Sequence, residues 1–194
     1  MSIALMSKLD AVNAMLESVW ERPISTLEVS GVASVAMAKR VLDKVSQSVQ
    51  SRGWHFNTDT ELPLTPDTDG FIQLPTNTLF VDTDGNSKDV DVAQRGFRLY
   101  DREEHTFVFT KSVTVKLISL FDWEDLPQVA RMYIALSAAR VFRDKWLQAE
   151  APSNPTAEEV EALRNLEEAE ADSGDYNMFT DSWSVANILD REAY

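Results

Sequence analysis

Any chemistry in this chain would have to come from a small set of side chains. There is no cysteine, and the histidines are His55 and His105 alone among 194 residues. Without thiols there is no disulfide, no thiolate nucleophile and no sulfur-ligated metal. Two imidazoles fall short of the three nitrogens of a carbonic-anhydrase-like zinc centre. No Gly-x-Ser-x-Gly elbow is present to offer a serine to a histidine base. Asp82, Asp84, Gly85 and Asn86 suggest a calcium loop, but the positions that should hold glycine and glutamate carry Ser87 and Ala93. Six glycines supply no phosphate-cradling loop. Carboxylates remain. Glu103-Glu104 and the run Glu158, Glu159, Glu161, Glu167, Glu168, Glu170 and Asp172 could furnish a glycosidase-like pair on paper. A charge run on a capped helix is more simply a solvated face. The expectation is no catalytic residue, no metal and no cofactor.

The balance of charge narrows the partners. The formal net charge is −14. Proteins that grip the nucleic-acid backbone do so with basic patches that displace counterions, and this chain has few. Apolar residues make up 44% and charged residues 26%, enough for a core without disulfide or metal staples. The length suits one domain spanning 1–194. Met1 to Met6 is apolar but short for a signal peptide, and no apolar run nears the ~20 residues of a membrane-spanning helix. Neither a targeting segment nor membrane binding is expected.

The elements that position these side chains follow from periodicity. Leu9, Val12, Leu16 and Val19 recur at helical spacing behind Ser7, an N-cap with Asp10 three residues on, and Pro23 lies beyond the end. Val35, Ala38, Leu42, Val45 and Val49 mark a second helix closed by Gly53. Val129, Met132, Leu136, Ala139, Phe142 and Trp146 mark a third, with Pro127 in its first turn. Thr156 and Glu159 form a capping box for the acidic fourth. The helices are expected over 7–20, 31–52, 123–149 and 156–172. Between them, 54–120 reads as β-rich, with strands at 78–82, 89–93, 97–101, 106–110 and 113–120. Asp84-Gly85 is a hairpin signal, and Val113, Val115 and Leu117 alternate with Thr114, Lys116 and Ile118. Residues 173–194 form an aromatic tail. The fold class is α+β: an antiparallel bundle of about four helices with an inserted small antiparallel β region. In the tail, Tyr176, Met178, Phe179, Trp183 and Ile188 would be an aggregation hazard if left in water, so a subunit or partner interface is expected there.

Several of these stretches resemble the tail tubular protein A family of short-tailed phages. Ala11-Val12-Asn13, Leu16, Ser18, Pro23 and Ser25-Thr26-Leu27-Glu28 are similar to its N-terminal signature. Gln50-Ser51-Arg52-Gly53-Trp54 with Phe56-Asn57 is similar to a second, in which Arg52, Gly53, Trp54 and Phe56 stand as packing residues. Arg95-Gly96, Tyr100-Asp101-Arg102 and Tyr176-Asn177-Met178 complete the series in order. One departure is clear: where a small residue, usually glycine, is expected between Ser18 and Pro23, this chain has Trp20. The resemblance implies a structural virion protein, an adaptor or gatekeeper built as a homo-dodecameric ring. It would join the portal protein to the nozzle, tail tubular protein B, and form part of the DNA ejection channel. Genomic DNA would pass without specific binding, and acidic side chains, those of the fourth helix among them, would line the bore. The ring would belong to the virion tail and assemble in the host cytoplasm. Two rival classes make other predictions: a cell-wall or polysaccharide hydrolase acting at infection, and a free acidic binding module.

Overall fold

The computed structural model describes residues 5–28 and 31–173. Its elements run α1 (Lys8–Glu17), α2 (Ala33–Gln50), β1 (Thr58–Leu64), β2 (Thr78–Thr83), β3 (Val92–Arg95), β4 (Arg98–Asp101), β5 (Val113–Ser119), α3 (Gln128–Trp146) and α4 (Ala157–Ser173). The fold is α+β. Helices and strands keep separate apolar cores that meet along β5 and the turn after α2.

Local chemistry sets the start of α1. The Ser7 hydroxyl accepts the Asp10 N–H at 3.1 Å, and the Asp10 carboxylate accepts the Ser7 N–H at 3.0 Å. Two donors of the first turn are thus satisfied reciprocally. The Ser7 hydroxyl also donates to the Asp10 carboxylate at 2.6 Å, and this bond, with that from the Ser7 N–H, holds the Asp10 carboxyl below its usual range. The buried side of α1 is Ala11, Val12, Met15 and Leu16.

Helix α3 packs against each of the other three helices, and it corrects the expected stripe. Its core residues are Ala130, Ile134, Ala135, Ala138 and Phe142, whereas Met132 is exposed and Val129 and Leu136 are only half-buried. A helix contacted by three neighbours is buried around most of its girth, so one apolar stripe cannot identify the core side. Its alanines matter more than its large residues, because they let neighbouring helices approach.

The three-stranded antiparallel sheet has the order β1-β5-β2, and β3 and β4 form a separate hairpin. On β5 the alternation holds: Val113, Val115 and Leu117 enter the β core with Val81, Val92 and Leu99. Three expectations are overturned. Asp84-Gly85 does not close a hairpin; Asp84 caps a short 3-10 turn at Gly85–Ser87, and the partner of β2 is β5. The hairpin turn is Gly96-Phe97, with Gly96 at φ +63. Residues 106–110 make only isolated bridges at Thr106 and Val108 rather than a strand. Strand β1 was not expected at all. It is a polar edge strand with Pro63, and its register shifts between Asp59 and Leu62, where Glu61 takes φ +52. Proline and a bulge are tolerated there because the outer edge forms no ladder.

Candidate functional site

The Gln50–Asn57 segment builds the joint between the helical layer and the sheet. Gly53 lies two residues past the C-cap of α2 at φ +75, and a Cβ on it would fall 2.6 Å from Ile118 Cδ1. Glycine therefore meets a torsional and a steric demand at once. Beyond it, Trp54 is buried and its indole N–H donates to the Val49 carbonyl at 2.7 Å. Asn57, also buried, donates to the Gln50 carbonyl at 3.0 Å and the Ser119 carbonyl at 2.8 Å, and accepts the Trp54 N–H at 2.9 Å. The buried Gln50 side chain accepts the Phe121 N–H at 2.8 Å and donates to the Phe121 carbonyl at 3.1 Å. Two amide side chains so tie the end of α2 to the end of β5, with their polar groups paired as burial requires. Phe56 is half-buried against the helical core, and Arg52 is exposed. Gln50 and Asn57 carry this joint together with Gly53 and Trp54. In the sequence they stand beside Ser51, Arg52 and His55, with no apolar pattern to mark them as buried.

A second polar cluster corrects the reading of α4. Thr156 does cap it, accepting the Glu159 N–H at 3.2 Å. Yet Glu159 neither completes the box nor joins the solvated acidic face. Its side chain is buried, forms bonds of 2.7 and 2.9 Å to Arg140 on α3, and accepts the Ser137 hydroxyl at 2.7 Å. Burial pushes the Glu159 carboxyl up, but the bonds from Arg140 and Ser137 and the guanidinium charge outweigh it, so the net shift is downward. Asp144 accepts both the N–H and the hydroxyl of Ser153, at 2.8 and 2.6 Å, which fixes the loop between α3 and α4. The buried Arg131, unremarkable in sequence, donates to the carbonyls of Leu126 and Met6 at 2.8 and 3.1 Å and anchors the entry to α1.

The remaining candidates are scattered. Glu103 and Glu104 are both exposed on the turn after β4, where their N–H groups bond the Asp101 carboxylate at 2.9 and 2.8 Å. A glycosidase acid must be kept protonated by its surroundings, and this turn provides no such burial. His55 is exposed beside Glu170, which accepts its N–H, and His105 is an exposed turn residue at φ +54. Tyr176, Met178, Phe179, Trp183 and Ile188 lie outside the described residues. Trp20 is 98% exposed at φ +62, so the small residue expected there has a torsional reason.

Known proteins resemble the chain over most of its length. A family model described as "Tail tubular protein" matches residues 9–176. The tail tubular protein A of Klebsiella phage KP34 is 35% identical over 138 residues, which covers 71% of this chain and 72% of that protein.

Proposed function

The chain belongs to the tail tubular protein family and is a structural component of a phage tail; from that premise we propose that it is the adaptor ring joining portal to nozzle. In this reading it is not an enzyme, and it works by shape and copy number. The helices, arranged as an antiparallel bundle, make the wall of a homo-dodecameric ring, and the β region is the insertion that meets a neighbouring tail component. What carries the proposal is the span of the family match, which takes in α1 through α4 and both sheets.

The charge fits the channel. An inward basic surface would hold passing phosphates in a salt-dependent grip, whereas a like-charged wall lets the duplex slide. Only residues at the bore count, because screening acts over ~8 Å at physiological ionic strength. Glu159 is buried and takes no part. The exposed Glu167, Glu168 and Asp172 on the later turns of α4 are the proposed lining. The tail, with Tyr176, Met178, Phe179, Trp183 and Ile188, is proposed to clasp a neighbour or the portal, ordering as it docks.

The test is the mass of the purified chain, alone and mixed with portal rings, together with virions made without it. The expected results are a ring-sized species seated on the portal and particles that leak DNA. Complete, DNA-tight tails formed in its absence would refute the role.

A further inference from the structure

On this acidic chain the end of the β3–β4 hairpin is a basic tip. Arg95, Gly96, Phe97 and Arg98 are all exposed, and Arg95 faces Arg98 across the turn. The Arg95 guanidinium lies 3.5 Å from the centre of the Tyr100 ring, and that of Arg98 lies 4.6 Å from Phe71. These contacts hold both cations in place without neutralising them. Among the described residues neither forms an ion pair, while Arg102 nearby is matched to Asp91 at 3.2 Å. The Asp67 carboxylate nearby is engaged by the Phe71 N–H at 2.8 Å and forms no ion pair with Arg98. Like charges directly opposite on a hairpin repel, and an external anion relieves that cost. Phe97, 54% exposed, projects from the same turn.

The helical layer holds a matching recess. Between α3 and α4 runs a groove of about 300 Å³ floored by Val129, Met132, Leu136 and Ala162, with Glu158 and Glu161 on its rim. The two glutamates are one turn apart, which sets their Cβ atoms about 5–6 Å from each other. A directly opposed hairpin pair such as Arg95 and Arg98 has a similar separation of about 4.5–5.5 Å. An aromatic flanked by two cations and an apolar slot flanked by two anions are thus complementary in charge, with backbone anchor points similarly spaced.

We propose that the hairpin tip of one copy docks in the α3–α4 groove of the next, with Phe97 in the slot and Arg95 and Arg98 against Glu158 and Glu161. This rests on the ring reading above and supplies its subunit contact. Tip and groove are different patches, on the β hairpin and between α3 and α4, so the contact can repeat head to tail as a closed ring requires.

Three charge-reversed chains test it by native mass spectrometry and sedimentation at low and high salt. In the first, Arg95→Glu and Arg98→Glu reverse the tip; in the second, Glu158→Arg and Glu161→Arg reverse the rim; the third carries all four changes. Each of the first two is expected to self-associate about tenfold or more weakly, the range for close charge pairs across interfaces. The third restores the complement and is expected to recover assembly, which also shows that the reversed surfaces fold. Rings that ignore tip reversal, or a fourfold variant no better than its parents, overturn the docking but leave the ring reading standing. A wild-type chain that stays monomeric at every concentration and with portal present overturns both. Loss of rings on deleting 176–194, with none on tip reversal, assigns the groove to the tail and overturns the proposal.

Discussion

Helices α1 and α2 leave their last turns along the same path. Ser18 and Ser51 are the C-caps, and in each case the next two N–H groups bond back three residues, Val19 and Trp20 to Leu16 and Glu17, Arg52 and Gly53 to Val49 and Gln50. In each case the residue two beyond the cap is left-handed, at φ +62 for Trp20 and +75 for Gly53. Beyond that point the two exits differ. At Gly53 a side chain would strike Ile118, and the chain runs directly into the amide network of Trp54 and Asn57. At Trp20 the side chain stands in water. At position 20 torsion alone constrains the residue, while the Glu21 N–H bonded to Leu16 and the Asn13 side chain bonded to Ile24 hold the path from beyond; at position 53 torsion, space and hydrogen bonding all bear on the residue itself. A turn is fixed by what packs after it, and identical backbone geometry can carry very different sequence demands.

The exit of α3 offers the most severe test of that idea. It uses left-handed Gln148 at φ +52 with no glycine, so its path must be held from beyond, by Asp144–Ser153 and Arg140–Glu159. Glu159→Ala strands a guanidinium that is mostly out of water and should cost about 3–5 kcal/mol in urea unfolding. Replacing both partners, Arg140→Met with Glu159→Met, should recover most of that loss, because no unpaired charge remains. Acid provides an independent check. The folded Glu159 carboxyl sits below its usual range, so its contribution is present above the unfolded pKa and is lost as pH falls through the folded one. Stability of the native chain should therefore drop in acid more steeply than that of the double methionine variant. A Glu159→Ala cost below about 1 kcal/mol, no more than an exposed ion pair contributes, would break the comparison at this exit.

At the second exit, Asn57→Ala leaves the Gln50 and Ser119 carbonyls and the Trp54 N–H without their partner. The expected loss is about 3 kcal/mol, since each buried unsatisfied group carries a desolvation penalty. Gly53→Ala should lose about 2 kcal/mol, combining the left-handed penalty with displacement of Ile118. Equal, small costs for these two substitutions would mean that the joint is held by apolar packing alone.

The same distinction explains what the sequence revealed. The Ser7–Asp10 cap, the glycine after α2 and the alternation on β5 were legible because each is settled within a few neighbouring residues. Features that depend on the partner were not. Asp84-Gly85 does turn, with Gly85 at φ +54, but which strand comes to lie beside β2 is decided by β5, about thirty residues on. Strand β1 has no apolar alternation because its ladder serves one neighbour and its outer side faces water. Glu159 matched both a capping box and an acidic face, and neither pattern could register Arg140, placed on another helix. Among the joint residues, Gly53 announced its torsion, whereas the roles of Gln50 and Asn57 appear only when β5 arrives.

The smallest expected effect lies at Trp20 and bears most directly on the comparison. If torsion is the whole constraint on residue 20, Trp20→Gly should stabilise the chain. The left-handed backbone costs an ordinary residue about 1–2 kcal/mol, and the extra freedom of unfolded glycine returns about 0.5–1 of it, leaving a gain of roughly 0.5–1 kcal/mol. Trp20→Ala separates the two contributions, because alanine keeps the torsional penalty while removing the indole. With the ring in solvent, tryptophan and alanine should unfold at nearly the same urea concentration and glycine at a higher one. Should Trp20→Ala alone cost more than about 1 kcal/mol, the indole must be buried in solution, and position 20 would then be constrained by packing just as position 53 is.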